Sequence, residues 1–214
     1  MSLPAFKPLD RRIRHYELLL ERDLKDLPCY DLPKGFHIVT YQEGDREEWI
    51  RIEKSAGEFT SYEEGLDAWK RYYAGHEADL PGRMFFVEEE TGRKVATATA
   101  YHDIYGRDTT SAFLHWVAVA PEAQGKGLSK PLISHVLNRM ASLNETWVKV
   151  PTQTTSWIAC KVYLDLGFRP IEANKIHSRE GWCIIRRLTG HPALAEFPAA
   201  EEDQVLVQKG KDIK

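Results

Sequence analysis

Ala112 to Val119 is an apolar run of β-forming residues closed by Pro121, which predicts a buried strand. From Leu128 onward, Leu132, Ile133, Val136, Leu137 and Met140 recur at helical spacing, which predicts an amphipathic helix. Between the two lies Gln124-Gly125-Lys126-Gly127, a glycine-punctuated turn. Strand, turn and helix therefore follow one another within Ala112–Leu137.

The flanking patterns extend this into a domain. Phe36 to Tyr41 reads as a short strand. Asp45 with Glu48 makes a capping-box pattern, Trp49, Ile52 and Ala56 share a helical face, and Gly57 stops the helix. Ser61 with Glu64 repeats the box, and Tyr62, Leu66, Trp69 and Tyr73 mark a second buried stripe; Pro81-Gly82 reads as a turn. Met84–Glu89 and Lys94–Tyr101 form a hairpin about Glu90-Thr91-Gly92-Arg93. Tyr105-Gly106-Arg107-Asp108 links it to the central strand. Thr146–Val150 is a strand cut off by Pro151, and Ser156–Leu166 a helix stopped by Gly167. Phe168–Ile171 and Gly181–Leu188 read as closing strands. The order is β-α-α-β-β-β-α-β-α-β-β.

Residues 1–35 carry two patterns. Ile13, Tyr16, Leu20 and Leu24 suit one helical face, while Arg14, Tyr16, Leu18 and Leu20 alternate as in a strand; the alternation is favoured. The expected organisation is an N-terminal extension (1–35) packing on a main domain (36–188), then a tail (189–214). The tail is expected to be loosely attached, with a disordered lysine-rich end. There is no internal repeat and no low-complexity segment.

Composition narrows the class. The chain has 214 residues, 43% hydrophobic and 29% charged, as in ordinary soluble globular proteins. No apolar run is long enough to span a bilayer, and no apolar run follows a basic N-terminal stretch, so a cytoplasmic protein without a membrane partner is expected. Cys29, Cys160 and Cys183 lie far apart, which fits a reducing compartment. A net charge of −3 argues against a nucleic-acid partner. No His/Cys/Asp/Glu cluster has ligand spacing, so no metal is expected.

The glycine turn has a definite chemistry. The first turn of a helix leaves backbone N–H groups without partners and carries the positive end of the helix dipole. Glycines let a ligand approach the backbone, so the junction suits a phosphate or pyrophosphate. Pro131 is tolerated near the first turn, and Lys126 and Lys130 add positive charge. No GxxxxGK(S/T) and no early GxGxxG is present, which leaves nucleoside-triphosphatase and dinucleotide folds unsupported.

Gln124-x-x-Gly127-x-Ser129, after a strand ending Val119-Ala120-Pro121, resembles the acetyl-CoA motif of the GNAT family of N-acetyltransferases. That motif reads Q/R-x-x-G-x-G/A after V-x-P, and Ser129 is a mild departure. Ala159-x-x-x-Tyr163-x-x-x-Gly167-Phe168 resembles a second family motif, A-x-x-x-Y-x-x-x-G-F. With the element order, the resemblance covers roughly Phe36 to Leu188. It implies an α/β (α+β) GNAT fold, with a mixed, mostly antiparallel central sheet and helices on both faces. It also implies direct acetyl transfer from acetyl-CoA, as cosubstrate, to a primary amine of a small molecule or peptide.

By the same resemblance, the backbone of Val117, Ala118 and Val119 meets the pantetheine arm. Gln124, Gly125, Lys126, Gly127, Leu128, Ser129 and Lys130 cradle the pyrophosphate, and a backbone N–H near Val117 faces the oxyanion. Tyr163 is the implied proton donor to the leaving thiolate. Ser156 stands where the family often has a cofactor-contacting Asn. For the base, His115 has the parity of Phe113 and Val117, and an imidazole of ordinary pKa ~6.5 suits the task. A structural His within the sheet is the competing reading. Glu58, after the first helix, is the alternative base or else a solvated turn residue. Family glutamates on the signature and next strands have no counterpart, because Phe113 and Pro151 stand there. Tyr101, His102 and Asp103 rank below His115, and Trp116 is expected to alternate away to the other face. Thr152 to Thr155 either orient substrate or form a polar loop, and His135 is read as structural. Cys160, inside a helix without a base partner, is not expected to act as a nucleophile. A non-catalytic acyl-CoA-binding regulatory module is the alternative function. Acyl chain length, the acceptor and a homodimer formed by strap exchange stay open.

Overall fold

The computed structural model describes residues 9–102, 112–172 and 178–207. In chain order the elements are β1 (Glu17–Asp23), β2 (Phe36–Thr40), α1 (Arg46–Ala56), α2 (Tyr62–Tyr72), β3 (Met84–Glu89), β4 (Lys94–His102), β5 (Ala112–Val119), α3 (Ser129–Ser142), β6 (Trp147–Gln153), α4 (Trp157–Asp165), β7 (Arg169–Ile171), α5 (Ser178–Thr189) and α6 (Glu202–Val205). They fall in two compact units, Asp23–Val148 and Met1–Arg22 with Lys149–Lys214.

In the first unit β2, β3, β4 and β5 pair antiparallel in that order. Neighbouring residues on β3 point to opposite faces, and each face has its own cover. Phe86 enters the cluster built by Trp49 and Ile52 of α1 with Trp69 of α2 and Tyr73. Phe85 packs against His135 of α3, ring centroids 4.7 Å apart. Helices therefore lie on both faces, which is why β4 is buried without a break from Val95 to Tyr101.

Two local expectations in this unit are corrected. Asp45 does not cap α1 with its side chain. Its carboxylate instead accepts from Gln42 N–H at 2.8 Å and from Lys94 Nζ at 2.8 Å, and Glu48 pairs with Arg51. Tyr62 is exposed rather than part of the buried stripe, and its hydroxyl donates to Glu47 at 3.1 Å. The α2 cap forms, with Ser61 Oγ accepting from Glu64 N–H at 3.2 Å.

In the second unit β1 pairs antiparallel with β7, Leu20 opposite Pro170. The favoured strand reading of this N-terminal segment is the observed one, with Leu18 and Leu20 buried. The strand expected to stop at Pro151 runs on to Gln153. Pro151 is exposed, and its fixed φ suits a strand wherever no ladder donor is needed. The closing strand expected at Gly181–Leu188 is instead part of α5. Trp182-Cys183-Ile184-Ile185 has β-like composition, but Ser178, Gly181, Trp182 and Ile185 are buried at helical spacing. Gly181 is the close-approach point: a Cβ there would meet Leu18 Cδ2 at 2.8 Å. The tail is attached more firmly than expected as far as residue 207. Phe197 and Val205 are buried, and Ala200 N–H donates to the Cys183 carbonyl at 3.0 Å. The Tyr105–Asp108 link and the lysine-rich end lie outside the described residues.

Candidate active site

β5 does not run straight. Thr97 pairs with Ala118 and Thr99 with His115, so Trp116 and Val117 together face the single Ala98. This is a β-bulge, and Trp116 takes φ 48° to make it. A left-handed non-glycine residue costs about 1–2 kcal/mol, so packing must hold it. The Trp116 ring lies 5.3 Å from Trp49, 5.2 Å from Phe59 and 5.7 Å from Tyr72. A bulge takes backbone N–H groups out of the regular ladder, the arrangement needed to offer a donor to a developing oxyanion.

The bulge also corrects the placement of Trp116. Its ring is 5.4 Å from that of His115, and both touch Tyr72, because the extra residue cancels the strand alternation. His115 is clasped by aromatic rings: Tyr101 stacks on it at 4.7 Å and 28°, and Tyr72 meets it edge-on at 4.7 Å. Glu58 is exposed in the turn after α1, and its neighbour Phe59 packs on Trp116, so that turn lies beside the bulge. The fold thus brings together three of the expected features: His115, the Val117 backbone and the Glu58 turn.

Past the C-terminal end of β5 the chain enters the glycine turn. Gln124 Nε2 donates to the Val119 carbonyl at 3.0 Å, tying the turn to the strand end. Gly125 and Gly127 take φ 76° and 78°, backbone that only glycine adopts without strain. α3 then starts with no side-chain cap at Leu128 and no acidic residue in its first turn. Backbone N–H groups from Gly125 to Ser129 have no acceptor among the described residues. Lys126 stands beside them, 3.8 Å from Glu89 in an exposed pair that holds it only weakly. Open N–H groups, a helix dipole and a lysine held only by a weak surface pair are chemistry that suits an anion.

Tyr163 and Ser156 belong to the second unit. Tyr163 is buried on α4, edge-on to Phe168 at 5.9 Å. Ser156 precedes α4, and its Oγ accepts from Gln153 Nε2 at 2.9 Å. Thr154 is committed to structure: its hydroxyl donates to the Arg14 carbonyl at 2.6 Å and accepts from Tyr16 N–H at 2.9 Å. Burial pushes the Cys160 thiol up to about 12, which leaves negligible thiolate at neutral pH. His102 Nδ1 lies 3.2 Å from Glu145 Oε1, and Asp103 lies outside the described residues.

One titratable group escaped the sequence reading. Glu53 of α1 is fully buried, and neither carboxylate oxygen has a hydrogen-bond partner among the described residues. Burial, then the charge of Glu58, holds its carboxyl well above the ordinary range. The signal was available, since Glu53 follows Trp49 by one helical turn and so sits on the apolar face. Trp49 Nε1, Trp116 Nε1 and Thr97 Oγ1 are likewise buried without partners among the described residues.

A model of the acetyltransferase (GNAT) family matches residues 40–168. The chain belongs to the GNAT family. The match takes in the bulge, the glycine turn and the Ala159–Phe168 motif. A mycothiol acetyltransferase from Pseudarthrobacter chlorophenolicus is 28% identical over 155 residues, covering 67% of this chain. The chain spans 45% of that curated relative's length. A GCN5-related N-acetyltransferase structure from Sphaerobacter thermophilus aligns with TM-score 0.60 at 18% identity, over 75% of this chain and 50% of that one. A GNAT acetyltransferase structure from Novosphingobium aromaticivorans aligns with TM-score 0.51 at 25% identity, over 78% and 66%. The fold is thus the mixed α/β, mostly antiparallel GNAT fold. GNAT enzymes use acetyl-CoA as cosubstrate, and the open N–H groups of Gly125–Ser129 fit its pyrophosphate. Among the described residues no three His, Cys, Asp or Glu side chains gather as a metal site, and no helix is long and apolar enough to cross a membrane.

Proposed function

We propose that this protein transfers the acetyl group of acetyl-CoA directly to a primary amine of a small molecule or peptide. The observation that carries the reading is one strand with two devices: a bulge at Trp116–Val117 and, past its end, an uncapped glycine turn. A thioester carbonyl at the first and a pyrophosphate at the second is the division of labour acetyl-CoA requires. The Val117–Val119 backbone holds the pantetheine arm, Gln124 to Lys130 hold the pyrophosphate, and Ser156 takes the place of the family's cofactor-contacting Asn. The amine nitrogen attacks the thioester carbonyl, forming the N–C bond, and a bulge N–H stabilises the oxyanion. The C–S bond then breaks, and Tyr163 gives its proton to the departing thiolate. His115 takes the proton lost by the amine, directly or through water, with Glu58 as the second candidate.

Calorimetric titration with acetyl-CoA, CoA and ATP, followed by thiol release with an amine panel, tests this. Binding of the first two ligands but not ATP, with turnover lost in His115→Ala/Glu58→Ala, is the expected result. Binding without turnover of any amine leaves the alternative, a non-catalytic acyl-CoA-binding module. Full activity in the double variant removes both residues from the base role.

A further inference from the structure

A cavity of about 210 Å³ is lined among others by Tyr72, Tyr73 and Tyr101 with Asp79, Arg83 and His102. Two of its walls, Tyr72 and Tyr101, are the same rings that clasp His115. The cavity therefore lies one aromatic ring away from the imidazole and is of amino-acid size. Its chemistry is set by one cation. Arg83 is held at a fixed place by a hydrogen bond from its Nη1 to the Ala100 carbonyl at 3.3 Å. That bond uses one of five donors, and no carboxylate lies within ion-pair distance of Arg83 among the described residues. The other charged groups differ. His102 faces Glu145, and Asp79 is exposed to solvent. A positioned guanidinium with open donors, next to tyrosine rings, suits a carboxylate on an apolar or aromatic body.

We propose that this cavity binds the carboxylate of the acceptor, which makes the acceptor an amine of amino-acid size that also carries a carboxylate. The inference rests on the acetyl-transfer reading. Arg83 is then a specificity residue: it anchors the acid while the amine faces His115 and the bulge. It takes no part in the bond changes.

The test uses two probe pairs that differ only by the carboxylate, tyrosine against tyramine and 6-aminohexanoate against hexylamine. Wild type and Arg83→Gln are compared by steady-state thiol release. The expected result is an acid preferred in at least one pair by about 10- to 100-fold in kcat/KM, the range for one charge-assisted hydrogen-bonded contact. Arg83→Gln erases that preference through KM, leaving kcat for the plain amine and the acetyl-CoA affinity unchanged. No preference for the acid in either pair, or an equal loss for acid and amine, overturns the proposal. Should wild type turn over no amine at all, acetyl transfer is what fails. The cavity is then read by itself, through NMR titration of 4-hydroxyphenylacetate and hexanoate. Binding that Arg83→Gln weakens sustains the carboxylate site, and binding that is absent or insensitive to Arg83 overturns it.

Discussion

Two regions of the Asp23–Val148 unit hold polar groups that no described residue satisfies, and they differ in one respect. At the glycine turn the N–H groups of Gly125–Ser129 lie largely at the exposed surface. Under α1 the carboxyl of Glu53, the indole N–H groups of Trp49 and Trp116 and the Thr97 hydroxyl are sealed from it. Water can satisfy the first set, so leaving it open costs little and keeps it ready for an anion. The second set cannot be hydrated from the surface, and each group left unmatched costs about 1–3 kcal/mol. Open donors therefore mark a binding site at little expense. Buried ones trade stability for a polar interior beside the bulge.

The largest effect is expected where the open site is closed. Gly127→Val forces a β-branched residue to φ 78°. A Cβ there meets nothing within 4 Å, so the damage is to backbone conformation alone. Stability should fall by only about 1–2 kcal/mol. Acetyl-CoA affinity should fall about 100-fold or more, because several charge-assisted hydrogen bonds of about 1.5–3 kcal/mol each are lost together. Calorimetry and urea unfolding on the same variant separate the two numbers. Retained affinity would mean that the turn is only structural.

The next effect belongs to the sealed region. Glu53 is protonated in the folded protein over a range where the unfolded chain, with an ordinary value of 4.5, has ionised. The unfolded state then binds fewer protons, so stability is lost as pH rises from about 4.5 until the folded carboxyl itself ionises. The slope is about 1.4 kcal/mol per pH unit. Glu53→Gln removes the ionisation and should flatten this dependence, leaving the variant more stable than wild type at pH 7. Urea unfolding at pH 5, 6 and 7 decides it. Parallel pH profiles for the two proteins would show Glu53 ionised in the fold.

How far each region could be read from sequence follows from its physics. The glycine turn was legible because left-handed backbone at Gly125 and Gly127 demands a residue type, and helical periodicity fixes where α3 begins. The bulge was not, since a left-handed Trp116 is imposed by packing against Trp49, Phe59 and Tyr72 rather than by its own preference. Strict alternation accordingly sent that ring to the wrong face. α5 was misread because Ile184 and Ile185 favour strands locally, whereas the spacing of buried Ser178, Gly181, Trp182 and Ile185 is helical. Asp45 was misread because its carboxylate is taken by Lys94, 49 residues further on.

The smallest effect is a control on what makes a helix end a binding site. α2 begins with one first-turn donor satisfied by a side chain: Ser61 Oγ accepts from Glu64 N–H at 3.2 Å, while Glu64 Oε2 accepts from the N–H of Thr60, just before the helix, at 2.7 Å. Ser61→Ala uncovers one donor and should lower stability by about 1 kcal/mol, the usual worth of such a cap. It should not create a second anion site. Glu63 and Glu64 in the first turn repel an anion, and no left-handed glycine opens the approach there as Gly125 and Gly127 do before α3. Thermal unfolding reads the first number. The stoichiometry of acetyl-CoA binding, one per chain in both wild type and variant, reads the second. A second equivalent bound by Ser61→Ala would mean that an uncapped helix end alone suffices and that the glycines of the α3 turn are dispensable.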